Sequence, residues 1–156
     1  MKQPLLNDWS DRTDWAAWEA LIRTNGVTLD RPRHSVHPVH ADIVYPIDYG
    51  FINGTESSDG EEIDIFVGTA DTGLVGAIWT IDHRKGDEEC KFLLDCSAEE
   101  IYLVNGFLNF DRSLMEGRLV LRRPMRELWG AAVGAGAAVG ASAAVGAGAA
   151  NVDGAN

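Results

Sequence analysis

The residues with the clearest chemical potential lie in three short stretches. Acids crowd the segment Asp59-Gly60-Glu61-Glu62-Ile63-Asp64, where Asp59 stands at the mouth of an Asp-Gly turn. Ile63, Ile65, Phe66 and Val67 then read as a short buried strand. Carboxylates at the entrance of such a strand, anchored on one side and wet on the other, suit hard divalent cations. The plain alternative is an acidic turn without chemistry. The order of residues excludes an EF-hand loop, which needs glycine at the sixth position and acids at alternate positions; here glycine is second and the fifth residue is apolar. A glycosidase carboxylate pair needs a distance that spacing alone does not supply.

The second stretch is Asp87-Glu88-Glu89-Cys90-Lys91-Phe92-Leu93-Leu94. Read as a strand, it puts Asp87, Glu89 and Lys91 on one face and Cys90, Phe92 and Leu94 on the other, the core side. Carboxylates of the first face can hold cations while Lys91 meets a phosphate as a point charge. The alternative is an ordinary solvated face. The third stretch is Tyr45-Pro46-Ile47-Asp48-Tyr49-Gly50-Phe51. Phenols at Tyr45 and Tyr49 can donate to phosphate oxygens, or be no more than half-buried aromatics. Upstream, Arg31 and Arg33 are either phosphate ligands or solvated loop cations, and His37 and His40 are lesser candidates.

These groups must be held by a modest scaffold. The chain has 156 residues, enough for one domain with a real core. Its formal net charge of −11 argues against nucleic acid and anionic membranes, whose phosphates require Lys and Arg. A phosphate substrate would instead have to be attracted through divalent cations. Cys90 and Cys96 lack CxxC spacing and read as reduced thiols, and the N-terminus lacks a secretory hydrophobic run. The expectation is a cytoplasmic protein without a membrane span.

Asp11 to Asn25 reads as an amphipathic helix capped by Thr13 or Asp14, with Trp15, Trp18 and Ile22 on its core face. Strands follow at Val27–Leu29, Ile63–Val67, Val75–Ile81, from Asp87, and at Leu119–Leu121. Tyr45 to Phe51 reads as an irregular crossing between them. Gly76 suggests a bulge. Ser97-Ala98-Glu99-Glu100 is a capping box that starts a second helix. Residues 1–129 form the expected domain. Residues 130–156 are Ala, Gly and Val low complexity, expected to be a disordered tail.

The segments Tyr45–Phe51 and Asp59–Asp64 together resemble the soluble inorganic pyrophosphatases of the family I type. That family carries Tyr-Pro-x-x-Tyr-Gly-Phe/Tyr followed by Asp-Gly-Asp-x-x-Asp; here Glu61 replaces the middle aspartate. The resemblance implies an α+β fold, a small five-stranded OB-like barrel with flanking helices and an acidic mouth. It implies Mg²⁺-dependent hydrolysis of inorganic pyrophosphate, with Asp59, Asp64, Asp82, and Glu89 or Asp87 as metal ligands. Glu61 would take a proton from the attacking water, and Lys91, Tyr49, Tyr45, Arg31 and Arg33 would bind phosphate. Asp30 corresponds to a family acid before a proline. The family's phosphate hairpin is shortened here, and its late Tyr-Lys pair is missing; near Asn109-Phe110-Asp111-Arg112 only Arg112 offers a substitute. The family is often oligomeric, so the resemblance leaves a homo-oligomer open, with no interface legible in the sequence. Three alternatives stay open: a hydrolase of an organic diphosphate, a non-catalytic binder of metal or phosphate, and an OB-type binding module.

Overall fold

The computed structural model describes residues 1–6 and 12–129; the tail at 130–156 lies outside the described residues. Helix α1 spans Trp15–Asn25. Asp14 caps it by accepting from the Ala17 N–H at 3.1 Å. Gly26, at φ 79°, closes it with an N–H to Ile22 O at 2.8 Å. Strands β1 (Val27–Arg31), β2 (Asp48–Ile52), β3 (Asp64–Val67), β4 (Leu74–Asp82) and β5 (Asp87–Leu94) follow, then α2 (Ala98–Leu108) and β6 (Met115–Leu121). A further helical turn covers 125–129. The capping box forms as read: Ser97 Oγ accepts from Glu100 N, and Glu100 Oε1 accepts from Ser97 N.

The six strands make one mixed sheet in the order β1-β2-β3-β5-β4-β6. Neighbours are antiparallel except β3 and β5, which run parallel. The α+β class holds, but the five-stranded barrel is corrected to a six-stranded sheet with β1 and β6 at its edges. The extra strand is β2, which had read as an irregular crossing. Pro46 lies before it, so no ladder donor is lost within it. Gly50 makes it fit: a Cβ there would lie 2.0 Å from the carbonyl oxygen of Thr28 on β1. Gly76 marks the expected bulge, a register shift against β5 between Leu74 and Gly76.

Both faces of the sheet are covered. On one side Trp18, Leu21 and Ile22 of α1 pack with Ile65, Cys90, Phe92 and Leu94. Trp18 lies 4.9 Å from Phe92 by ring centroid. On the other side Ile101, Val104 and Leu108 of α2 pack with Tyr45, Phe66, Ile78 and Leu93. Alternation along β5 therefore sends Lys91 and Leu93 toward this second core rather than toward water.

Glu19 of α1 ties the helix to the sheet. Its carboxylate accepts from Leu74 N and from Arg122 Nη1, each at 2.9 Å, and from Arg23 Nη2 at 3.4 Å. Burial would raise its pKa, but these donors hold it below the ordinary value. A depressed folded pKa contributes stability above the unfolded pKa and loses it as the pH falls through the folded value. Glu19→Gln should therefore cost about 1–2 kcal/mol at neutral pH, allowing for its partly exposed partners. Urea melts should show the gap between variant and parent closing below about pH 4. A gap independent of pH would refute the role of the ionised carboxylate.

Candidate active site

The strand registers decide which side chains meet. Tyr49 of β2 pairs with Phe66 of β3, and Asp64 of β3 lies beside Lys91 of β5. The ammonium of Lys91 donates to Asp64 Oδ2 at 2.6 Å, Glu89 Oε1 at 3.3 Å and the Tyr49 hydroxyl at 3.2 Å. Lys91 is only 6% exposed, so this charge is compensated inside the protein. Burial would lower its pKa, but Tyr49, Asp64 and Glu89 together push it up, and it stays protonated. Burial raises Glu89, with the neighbouring Asp64 charge adding to the rise and Lys91 opposing it. Burial also raises the Tyr49 phenol well above its usual value, so it acts as a neutral group.

Aromatic stacking extends the cluster. Tyr45 stacks on Tyr49 at 5.2 Å, and Arg31 Nη1 donates to the Tyr45 hydroxyl at 3.1 Å. The 32–47 loop that carries Tyr45 has a single antiparallel bridge, Val36 to Val44, in keeping with the shortened hairpin. Asp48 Oδ1 accepts from Arg33 N at 2.8 Å and pins the loop's start. His37 Nδ1 accepts from Val39 N and His40 N at 3.1 and 3.2 Å, so the neutral ring carries its proton on Nε2. Burial, then the charges of Arg31, His40 and Arg84, lower its pKa.

The five acids expected to hold metal divide into separate settings. Asp64 and Glu89 share Lys91. Asp59 is exposed and organises its own loop, accepting from Ser57 Oγ and from Glu61 N at 3.0 Å. Asp82 is buried and caps the turn to β5, accepting from Arg84 N at 2.9 Å and Lys85 N at 3.3 Å. Asp87 pairs with Lys85 at 3.7 Å. Glu61 is exposed on the acidic loop. Arg112 binds Glu116 at 2.6 Å, so β6 engages it rather than the cluster. Among the described residues, no three His, Cys, Asp or Glu side chains are grouped to hold a metal ion. The pair Asp64 and Glu89 still fits one Mg²⁺: it offers hard oxygen donors already gathered around a cation. Mg²⁺ is commonly held by one or two carboxylates, with water and substrate phosphate completing the shell.

Arg84 is the residue that sequence reasoning passed over. It read only as part of a charged turn, yet its guanidinium lies 3.4 Å from Asp82 and its charge reaches His37. Lys85 of the same turn acts on Asp59.

Residues 20–87 match the family model of the inorganic pyrophosphatases. That stretch runs from α1 to the first residue of β5 and includes both motifs that carried the resemblance. Glu89 and Lys91 lie just beyond it. No curated protein matches the chain. Among solved structures it is similar to the inorganic pyrophosphatase of Coxiella burnetii, at 15% identity and TM-score 0.47, covering 69% of this chain and 91% of that one. The Helicobacter pylori enzyme gives 16% identity and TM-score 0.45, with 70% and 91% covered. The Thermus thermophilus enzyme gives 18% and 0.39, with 69% and 88% covered.

Replacing Tyr49 with Phe should leave one Lys91 donor unmatched in a closed site. The expected loss is about 1–2 kcal/mol in urea unfolding, with an unchanged circular dichroism spectrum. No loss would mean that the phenol does not compensate the ammonium.

Proposed function

We propose that this protein hydrolyses inorganic pyrophosphate to two phosphates, using Mg²⁺. The observation that carries this reading is the buried Lys91 ammonium between Asp64 and Glu89, backed by Tyr49, Tyr45 and Arg31. It belongs to the sheet whose preceding strands match the pyrophosphatase family. Asp64 and Glu89 would hold the metal; Asp59 is engaged within its own loop, and Asp82 and Asp87 within the β4–β5 turn. Bound Mg²⁺ would supply Lewis-acid polarisation and a water of lowered pKa.

The remaining chemistry belongs to the chain. Lys91, Arg31 and Arg33 neutralise the diphosphate, and the phenols of Tyr45 and Tyr49 donate hydrogen bonds to its oxygens. Glu61, exposed on the acidic loop, accepts the proton of the attacking water. Water oxygen bonds to one phosphorus as the bond from that phosphorus to the bridging oxygen breaks. The bridging oxygen leaves on the second phosphate, and the proton passes to solvent.

We place residues 1–129 in one catalytic domain and the protein in the cytoplasm, where the buried free thiols Cys90 and Cys96 stay reduced. Among the described residues no helix is long and apolar enough to cross a membrane. A homo-oligomer stays open as the assembly. A second reading, hydrolysis of an organic diphosphate, is favoured by Arg112, which is engaged by Glu116 and adds no cation beside Tyr49.

The deciding experiment is phosphate release from pyrophosphate and from organic diphosphates, with Mg²⁺ and then with EDTA. Release from pyrophosphate should depend on Mg²⁺ and stop with EDTA. Asp64→Asn should lower kcat by roughly 100-fold in protein shown by circular dichroism to be folded. Full turnover by that variant would remove Asp64 from the metal site.

A further inference from the structure

The Lys91 ammonium has three N–H donors, and all three are used within the protein. As it stands, it has none to give a phosphate. Asp64 Oδ2 and Glu89 Oε1 are likewise turned toward Lys91. Each expected ligand therefore needs a partner that the protein has already engaged.

The charges decide how this is resolved. A divalent cation entering alone meets the ammonium at close range, and like charges in a poorly solvated site repel strongly. A phosphate entering alone draws Lys91 away and leaves two adjacent carboxylates uncompensated, a costly state inside a protein. When both enter, the ammonium turns to the phosphate and the carboxylates turn to the cation. Every charge stays paired, and the flexible four-carbon stem of lysine permits the swing.

Building on the pyrophosphatase reading, we propose that Lys91 is a resident counter-ion, holding the cation position between Asp64 and Glu89 until divalent metal and phosphate arrive together. Metal and phosphate then bind with positive coupling, and linkage requires the effect to be reciprocal. Lys91 in this role is a positioning residue as well as a phosphate contact.

The test is titration calorimetry on the full chain with Mg²⁺ and inorganic phosphate, each alone and each in the presence of the other, corrected for their association in solution. Saturating phosphate should lower the Mg²⁺ Kd by about tenfold or more, and Mg²⁺ should lower the phosphate Kd by the same factor. In Lys91→Met, Mg²⁺ alone should bind about tenfold more tightly than to the parent, and the coupling should vanish. A coupling factor near one in the parent, or coupling retained in the variant, would overturn the proposal. If Lys91→Met fails to fold, Lys91→Gln, which removes the charge but keeps a donor, replaces it in the same titrations, with the same outcomes. Pyrophosphate turnover on the same sample separates this inference from the function. Turnover without coupling overturns the role of Lys91 and leaves the hydrolase reading intact. Coupling without turnover supports Lys91 and rejects hydrolysis. Failure to bind either ligand overturns both.

Discussion

A lysine ammonium 6% exposed to solvent sets the terms for the structure around it. Removing such a charge from water costs several kcal/mol, and a single partner rarely recovers that. Here two carboxylates and a phenol surround it, drawn from β2, β3 and β5. The sheet must therefore be in register to within one residue. A slip of one residue in β5 would turn Lys91 into the α1-side core beside Trp18 and bring Cys90 or Phe92 against Asp64. Gly50 makes a related contribution, because only a residue without Cβ lets β2 lie against Thr28 of β1.

Around this centre the other ionisable groups serve the loops. Asp59 folds its own turn, Asp48 pins the start of the 32–47 loop, and Asp82 caps the β4–β5 turn. Each is an acid that accepts from a backbone N–H of a loop or turn, so part of the acidic character of the sequence goes into shaping these loops. The charges of Arg31 and Arg84 contribute to the lowered pKa of His37, and that of Lys85 to the lowered pKa of Asp59. Each of these cations also has an acid beside it: Asp30 for Arg31, Asp82 for Arg84 and Asp87 for Lys85.

Much of this was legible in the chain because it depends on near neighbours. Asp14 and Ser97 with Glu100 cap helices over three residues, and the Trp15 and Trp18 stripe follows the helical repeat. The alternation of Cys90, Phe92 and Leu94 named the α1-facing side of β5, and Gly76 marked the bulge. The acidic signature and the Tyr-Pro segment lie within the stretch that matches the pyrophosphatase model, and they carry Asp64, Tyr45 and Tyr49 of the cluster. What misled was the assumption that one strand face must be wet. The opposite face of β5 is covered by α2, which begins only at Ala98 and whose docking no pattern within β5 can report.

The sequence by itself determined the elements, the caps and the supply of oxygen donors and cations, because each follows from residue type and short-range spacing. Tertiary structure alone decided how those donors are shared. Asp64 meets Lys91 across 27 residues of chain, whereas Asp59 and Asp82, equally acidic and equally near strand ends, bond to backbone two residues away. It also decided that β2 is a strand, since its ladders are made with β1 and β3 rather than within itself. The reason is physical: a carboxylate takes the nearest donor the fold offers, and strand pairing, not composition, sets which donor that is.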